Sequence, residues 1–240
     1  MRFEQIINIL TKHYPFFIRG AINTVLIALV ATIVGFGIGL LIGIIRTMPK
    51  PENGPERVIY SIVQFLTTAY IEVFRGTPMM VQAMVIFYGA PLFLGIRLAR
   101  MPAAFFIVSV NTGAYMAEIV RGGILSVDNG QYEAAKALGM NHVQTMSYVV
   151  LPVAIRNIIP AVGNEFIINI KDSSVLNVIG VSELFFQSAT VAGTNMMYFE
   201  TYLITSFIYL AMTFTITQIL RFVERRLDGP KNYQMNQQQV

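Results

Sequence analysis

A stripe of polar side chains lies on one predicted helix in the fourth apolar region of this 240-residue chain. In VGNEFIINIKDSS, Glu165, Asn169 and Asp172 are spaced by four and then three residues, so they share one helix face with Ser173. A charge facing lipid is costly, so the stripe must face another helix or a wet cavity. Its carboxylate, amide and hydroxyl groups suit a small polar or zwitterionic solute. We expect a solute pathway at Asn164, Glu165, Asn169 and Asp172, with a purely structural role for Glu165 as the alternative.

Two pairs of opposite charges also occur within apolar sequence. Glu72 and Arg75 are three residues apart, and so are Glu118 and Arg121. This is a spacing at which ion pairs form on a helix. We predict that both pairs are structural and orient their helices, and a gate or a solute contact is the alternative.

The side chains that support catalysis are scarce. Cysteine is absent and there are two histidines, so thiolate and histidine metal sites are poorly supplied. The chain has no P-loop, no G-x-S-x-G turn and no H-E-x-x-H helix. We therefore expect no enzyme activity, no catalytic residue, no metal site and no cofactor bound by this chain.

The composition is that of an integral membrane protein. Hydrophobic residues make up 55% of the chain and charged residues 12%, and the mean hydropathy is +0.59, whereas soluble domains carry about 25% charged residues. Several runs are long enough for a helix to cross a bilayer. The net charge of +4 fits basic cytoplasmic loops and requires no nucleic acid.

Five transmembrane helices are predicted in an all-α fold, with the second interrupted near the sequence RGTP. A cytoplasmic loop, residues 130–152, lies between the third and fourth spans. The transmembrane domain, residues 21–222, is flanked by an external N-terminal segment, residues 1–20, and a cytoplasmic tail, residues 223–240. The predicted spans are 21–45, 58–96, 102–120, 153–182 and 201–222.

Small residues recur every four positions in the first span, at Ala31, Gly35, Gly39 and Gly43. They lie along one helix face and allow a second helix to approach closely within the membrane. We expect this face to pack against a neighbouring helix.

The distribution of basic residues indicates the orientation of the chain. With the C-terminus inside, ten Lys and Arg residues lie on the cytoplasmic side and five on the outer side. The excess of positive charge on the inner side predicts an external N-terminus and a cytoplasmic C-terminus.

The cytoplasmic stretch YEAAKALG predicts a short helix from Glu133 to Leu138 that ends at Gly139. Asn141 and Gln144 predict a capping box for a second helix, which Pro152 interrupts or follows. A helix this short is marginal in water by itself, so it needs a groove on this chain or, as we favour, on a partner subunit.

The sequence EAAKALG, with Leu151 and Pro152 following, resembles the EAA loop, E-A-A-x(3)-G-x(9)-I-x-L-P, of ABC-importer membrane subunits; Val149 replaces the usual isoleucine. YIEVFRGTPMMVQ, NTGAYMAEIVRGGI and GNEFIINIKDSS are similar to segments of permeases of polar-amino-acid uptake systems. The resemblance extends from about Asn23 to Arg226.

The resemblance implies the fold of a type I ABC importer permease in a bacterial inner membrane. It implies a homo- or heterodimer of permease subunits, a cytosolic ATPase subunit that uses ATP and Mg²⁺, and an external solute-binding protein that delivers an amino acid. The alternative is a secondary transporter or channel that acts without a partner. By position, the residues implied to couple to the ATPase are Glu133, Ala134, Ala135, Leu138 and Gly139, and Glu165 is implied to lie near the solute.

Overall fold

Helices are the only regular secondary structure in the residues that the computed structural model describes, 2–52 and 54–227. A π-helical turn spans Met146–Val150, and a 3₁₀ helix spans Ser173–Ile179. The α-helices are α1 Arg2–Thr47, α2 Pro55–Gly76, α3 Met79–Leu94, α4 Arg100–Leu125, α5 Asn129–Ala137, α6 His142–Thr145, α7 Leu151–Asp172, α8 Leu184–Asn195 and α9 Tyr198–Leu227. Four of the helical stretches are long and apolar enough to cross a membrane, or five if the bent pair α2–α3 is one span. The predicted all-α membrane fold is confirmed.

The first helix is longer than predicted. The described part of the segment 1–20 is continuous with the first span, because α1 runs unbroken from Arg2 to Thr47. Pro15 removes one helical hydrogen bond, but Ile9 and Phe17 on either side of it are buried in a cluster with residues of α8 and α9. Tertiary packing therefore maintains the helix through the proline.

The small-residue stripe of α1 packs against α4, as predicted. A Cβ added at Gly35 would lie 2.8 Å from Thr112 Cβ, and one added at Gly43 would lie 2.7 Å from Val120 Cβ. Ala31 is fully buried in the same seam. Because only glycine leaves room for these α4 side chains, the stripe sets the separation of the two helices.

The predicted break at RGTP is confirmed, and the helices on either side of it meet at 111°. Gln82 Nε2 donates to the carbonyl oxygens of Phe74 and Thr77, both at 2.9 Å. Asn111 Nδ2 of α4 donates to Gln82 Oε1 at 2.9 Å and to the Phe74 carbonyl at 3.2 Å. These bonds satisfy carbonyl groups that the end of α2 leaves without helical partners.

The fourth apolar helical stretch continues to Ile179, close to the predicted end at residue 182, but its last turns are not α-helical. The α-helix ends at Asp172, where Ser173 Oγ donates to the Ile170 carbonyl at 2.9 Å and the backbone tightens into the 3₁₀ helix. Gly180 then adopts a left-handed conformation, with φ of 72°, which ends the helical run.

Helix α8 was not predicted. The Glu183 carboxylate caps its first turn by accepting from the backbone N–H groups of Phe185 and Phe186, at 2.7 and 2.6 Å. Tyr209 Oη of α9 donates to the same carboxylate at 3.1 Å.

The last helix, α9, extends to Leu227 into the predicted tail, and the rest of that tail lies outside the described residues.

Candidate coupling helix and solute pathway

The first six residues of YEAAKALG form the C-terminal part of the nine-residue helix α5, which starts earlier than predicted, at Asn129. The Asp128 carboxylate caps it by accepting from Gly130 N at 2.7 Å. Gly139 has φ of 79° and ends the turn, as predicted for a left-handed residue. Asn141 and Gln144 exchange hydrogen bonds of 2.9 Å in the predicted capping box. The ends of both short helices are therefore capped by groups within the same segment.

Only part of α5 is free to contact another molecule. Glu133, Ala134, Leu138 and Gly139 are exposed, and Leu138 retains 83% of its surface. Ala135, which was predicted to face a partner, is instead buried, because α5 packs on the chain's own π-helical turn. Ala135 therefore lies on the inner face of α5, away from its exposed residues.

A polar contact that the sequence analysis missed connects α5 to α6. Tyr132 Oη lies 3.2 Å from His142 Nδ1, and the Lys136 ammonium lies 4.7 Å from the centre of the Tyr132 ring. The two aromatic residues are ten positions apart and meet only because the intervening turn folds back. The contact restrains α5 relative to the fourth membrane-spanning region.

The predicted ion pair between Glu118 and Arg121 is present in α4, with Arg121 Nη2 at 2.9 Å from Glu118 Oε2. Arg46, at the end of α1, also pairs with the Glu118 carboxylate. This second partner was not predicted because it comes from a distant part of the sequence. Glu118 thus connects the ends of α1 and α4, and its negative charge is neutralised twice.

The predicted ion pair between Glu72 and Arg75 does not form within the described residues. The Arg75 guanidinium instead lies over the ring of Tyr115 of α4, with Cζ 5.4 Å from the ring centre. A planar guanidinium stacks favourably on an aromatic face, and this contact takes Arg75 away from its neighbour on α2. Arg75 therefore contacts α4 and does not pair with Glu72 on its own helix.

The predicted polar stripe of α7 divides into buried and exposed groups. Glu165 and Asn169 retain only 7% and 4% of their surface, whereas Asn164 and Asp172 are exposed on the single chain. Glu165 accepts no hydrogen bond from any described residue. It interacts electrostatically with Asp172 and with Arg75.

Asn169 connects three helices. Its Nδ2 donates to Thr32 Oγ1 of α1 at 3.0 Å, and its Oδ1 accepts from Thr112 Oγ1 of α4 at 2.9 Å. Thr32 donates its own proton to the Ala28 carbonyl at 2.7 Å, so its oxygen is free to accept. Both ends of the Asn169 amide are therefore engaged in helix packing, which differs from the predicted position in the pathway.

Comparison with known proteins agrees with this architecture. Residues 39–229 match the family described as "Binding-protein-dependent transport system inner membrane component". The chain is 38% identical to the glutamine transport system permease protein GlnP of Escherichia coli (strain K12), over 89% of this chain and 93% of that protein. It is 36% identical to the arginine transport system permease protein ArtQ of Bacillus subtilis (strain 168), with the same coverage of both chains.

Solved structures show the same fold. A chain of the "Crystal structure of an amino acid ABC transporter with histidines" superposes with a TM-score of 0.81 at 38% identity, covering 90% of this chain and 96% of that one. A chain of the MetNI methionine ABC transporter superposes with a TM-score of 0.73 at 20% identity, covering 88% and 96%. The latter likeness concerns the fold alone.

The helical architecture and these matches define a multi-pass transport permease of the ABC-importer type. The chain belongs to the family of binding-protein-dependent transport system inner membrane components. Its resemblance to the permeases of polar-amino-acid uptake systems is confirmed, and the alternative of a partner-independent transporter or channel is not supported.

Proposed function

We propose that this chain forms the translocation pathway of an ATP-driven importer of polar amino acids and is coupled through α5 to a separate ATPase subunit. The observation that carries the proposal is α5 itself, a helix capped at both ends whose outer face no described residue covers. Relatives that carry glutamine and arginine support the substrate class.

The exposed face of α5 would dock in a groove of the ATPase. Leu138 offers an apolar side chain there, and Glu133 offers a charge. The caps and the Tyr132–His142 contact hold the helix in place without the partner, so docking costs little ordering entropy. Movements of the ATPase would be transmitted to α7 through the π-helical turn on which α5 packs. ATP and Mg²⁺ belong to that partner.

The proposed orientation places the N-terminus outside and the C-terminus in the cytoplasm of a bacterial cell. The excess of basic residues on one side supports it, and it places α5 where a cytosolic ATPase can reach it. A second permease subunit would complete the pathway, since Asn164 and Asp172 are exposed on the single chain. An external solute-binding protein would deliver the amino acid.

Reconstitution tests the function directly. Proteoliposomes containing the permease with its ATPase and binding protein should accumulate labelled glutamine or another polar amino acid only when ATP is supplied. Permease alone should accumulate none. Uptake by the permease alone, driven by an ion gradient and independent of ATP, would refute the proposal.

Two substitutions test the docking role of α5. Glu133→Lys and Gly139→Asp should abolish ATP-driven uptake and reduce copurification of the ATPase, while the permease remains folded in detergent. Glu52→Lys makes the same charge change in an exposed loop. Gly95→Asp imposes the same left-handed strain at an open site away from α5. Undiminished uptake by both α5 variants would contradict the coupling role.

A further inference from the structure

An apolar groove with a volume of about 310 Å³ lies between α1, α7 and α9. Apart from Thr32 and Gly163, every residue that lines it has an aliphatic or aromatic side chain. Two of the lining residues, Leu29 and Ile155, are exposed, so the groove is open to the surroundings of the chain.

The one polar side chain of the groove is already engaged within the chain. Thr32 Oγ1 donates to the Ala28 carbonyl at 2.7 Å and accepts from Asn169 Nδ2 at 3.0 Å. A water molecule in a cavity needs two to four polar partners, and this groove does not offer them. Its occupant is therefore apolar.

The groove lies at membrane depth, because α1, α7 and α9 all belong to stretches that are long and apolar enough to cross a bilayer. The lining residues of α7 extend from Ile155 to Phe166, about 16 Å at 1.5 Å per residue. This is about half of the hydrocarbon core of about 30 Å. The groove therefore has the length of one leaflet.

The width of the groove distinguishes a hydrocarbon chain from a helix. A volume of about 310 Å³ spread over about 16 Å gives a mean cross-section of about 19 Å². An α-helix with its side chains is about 10–12 Å across, so its cross-section is about 80–110 Å². A single extended acyl chain fits into the groove, whereas a helix of another subunit could only lie across it.

Arginines stand at the end of the groove that faces the proposed cytoplasmic side. Arg156 comes three residues before Ile159 and seven before Gly163, so it shares their face of α7. A Cβ added at Gly163 would lie 2.8 Å from Leu220 Cδ2 of α9, and Arg225 follows five residues after that leucine. Because α7 and α9 cross the membrane in opposite directions, both arginines lie about 8–10 Å from this contact towards the same side.

The charge at this end is not neutralised by the described chain. No described residue forms an ion pair or a hydrogen bond with Arg156, Arg221 or Arg225. The last turns of α9 carry three arginines, with Arg226 stacked on a ring of its own helix, and one acid, Glu224. Basic residues between membrane helices on the cytoplasmic side are suited to anionic lipid headgroups.

We propose that this groove holds one acyl chain of an anionic phospholipid from the inner leaflet, and that Arg156 and Arg225 bind the phosphate of its headgroup. A neutral phospholipid would fill the groove equally well but would gain less from the two arginines. The bound lipid would contact α1, α7 and α9 at once. The inference goes beyond the proposed function, since it does not depend on which solute is carried.

Tryptophan fluorescence tests this site, because the chain contains no tryptophan of its own. Phe166→Trp places a reporter in the groove, and Phe214→Trp places a matched reporter at an exposed position of α9 outside it. The full-length permease is reconstituted in phosphatidylcholine vesicles that contain a minor fraction of brominated phosphatidylglycerol or brominated phosphatidylcholine, whose bromine atoms quench tryptophan. The Phe166→Trp reporter should bind the anionic lipid at least about fivefold more tightly than the neutral one, and the Phe214→Trp reporter should be quenched equally by both.

Substitutions in the Phe166→Trp background separate the headgroup from the acyl chain. Arg156→Gln should reduce the preference for phosphatidylglycerol about fivefold, and adding Arg225→Gln should remove it. Arg97→Gln removes an exposed cation from the loop before α4 and should change nothing. Ile159→Phe narrows the groove and should reduce quenching by both lipids while the Phe214→Trp reporter is unaffected.

Three results would overturn the inference. Equal binding of both lipids at the Phe166→Trp reporter would show that the groove does not select an anionic headgroup. A preference that survives loss of both arginines would assign it to other residues. If neither lipid quenched that reporter while both quenched Phe214→Trp, protein from a second subunit would cover the groove. None of these results bears on ATP-driven uptake, so the proposed function is tested separately.

Discussion

Replacing Gly39 by alanine tests whether the close approach of α1 and α4 organises the membrane domain. A Cβ added at Gly39 would lie 2.7 Å from the carbonyl carbon of Met116 and 2.8 Å from the amide nitrogen of Ala117. Both are backbone atoms of α4, so no side-chain rotation can relieve the overlap. The two helices would have to separate by about 1 Å to restore ordinary contact distances of about 3.5–4.0 Å.

The cost of that separation can be estimated against a matched substitution. Overpacking of this kind destabilises proteins by about 1–3 kcal/mol, and the upper end applies here because Gly35 and Gly43 lie in the same seam. Gly37 lies on the opposite side of α1, where an added Cβ would have no atom within 4 Å. Gly37→Ala gains the same helix propensity as Gly39→Ala, about 1 kcal/mol. The difference between the two variants therefore isolates the steric cost of about 1–3 kcal/mol.

The measurement is the free energy of unfolding of the purified permease in mixed micelles, obtained by titration with SDS and monitored by circular dichroism. Gly39→Ala should unfold at lower SDS than wild type, and Gly37→Ala at equal or higher SDS. Equal stability of the two variants would show that α1 and α4 can separate freely, and the seam would then have no role in setting their distance.

Four further substitutions test individual polar contacts. Asn169→Leu should destabilise the permease by about 1–3 kcal/mol in the same titration, because hydrogen bonds between membrane helices contribute about 0.6 kcal/mol on average and up to about 1.7. In the Asn169→Leu background, Thr112→Val should lower the free energy of unfolding little further, because the acceptor of the Thr112 hydroxyl is already gone. Strictly additive losses would contradict the hydrogen bond between Thr112 and Asn169. Gln82→Leu should cost about 1–3 kcal/mol through the carbonyl groups it leaves unsatisfied, whereas no loss would show that water replaces it. Tyr132→Phe should speed amide hydrogen exchange in α5 about fivefold, since one hydrogen bond contributes about 1 kcal/mol. Unchanged exchange would show that the contact with His142 does not restrain α5.

Features controlled by neighbouring residues could be predicted from the sequence. The break at Pro78, the left-handed turn at Gly139 and the capping box of Asn141 and Gln144 each depend on a few consecutive positions. The stripe on α1 was also predictable, because helical periodicity alone puts Gly35 and Gly39 on one face. The partner of that stripe was not, since the sequence does not specify which helix lies opposite.

Most of the errors arise from contacts between distant segments. Asn169 and Thr32 are 137 positions apart, and Arg46 and Glu118 are 72 apart. Spacing along one helix predicted Glu72 with Arg75, but a ring on α4 provides the contact instead. Helix α8 was missed because its cap, Glu183, follows an irregular turn and the helix has only twelve residues.

The buried polar groups of α7 differ in whether they take part in helix packing. Asn169 and Glu165 are four positions apart and both are buried, yet they differ in how their polar atoms are satisfied. The Asn169 amide bonds to α1 and α4, which fixes the rotation of α7 about its axis. Fixing that rotation also fixes the direction of Glu165 one turn earlier, and among the described residues no group donates a hydrogen bond to its carboxylate. Because Glu165 is expected in the solute pathway, we predict that loss of Asn169 weakens substrate binding through Glu165, although both ends of the Asn169 amide bond to other helices.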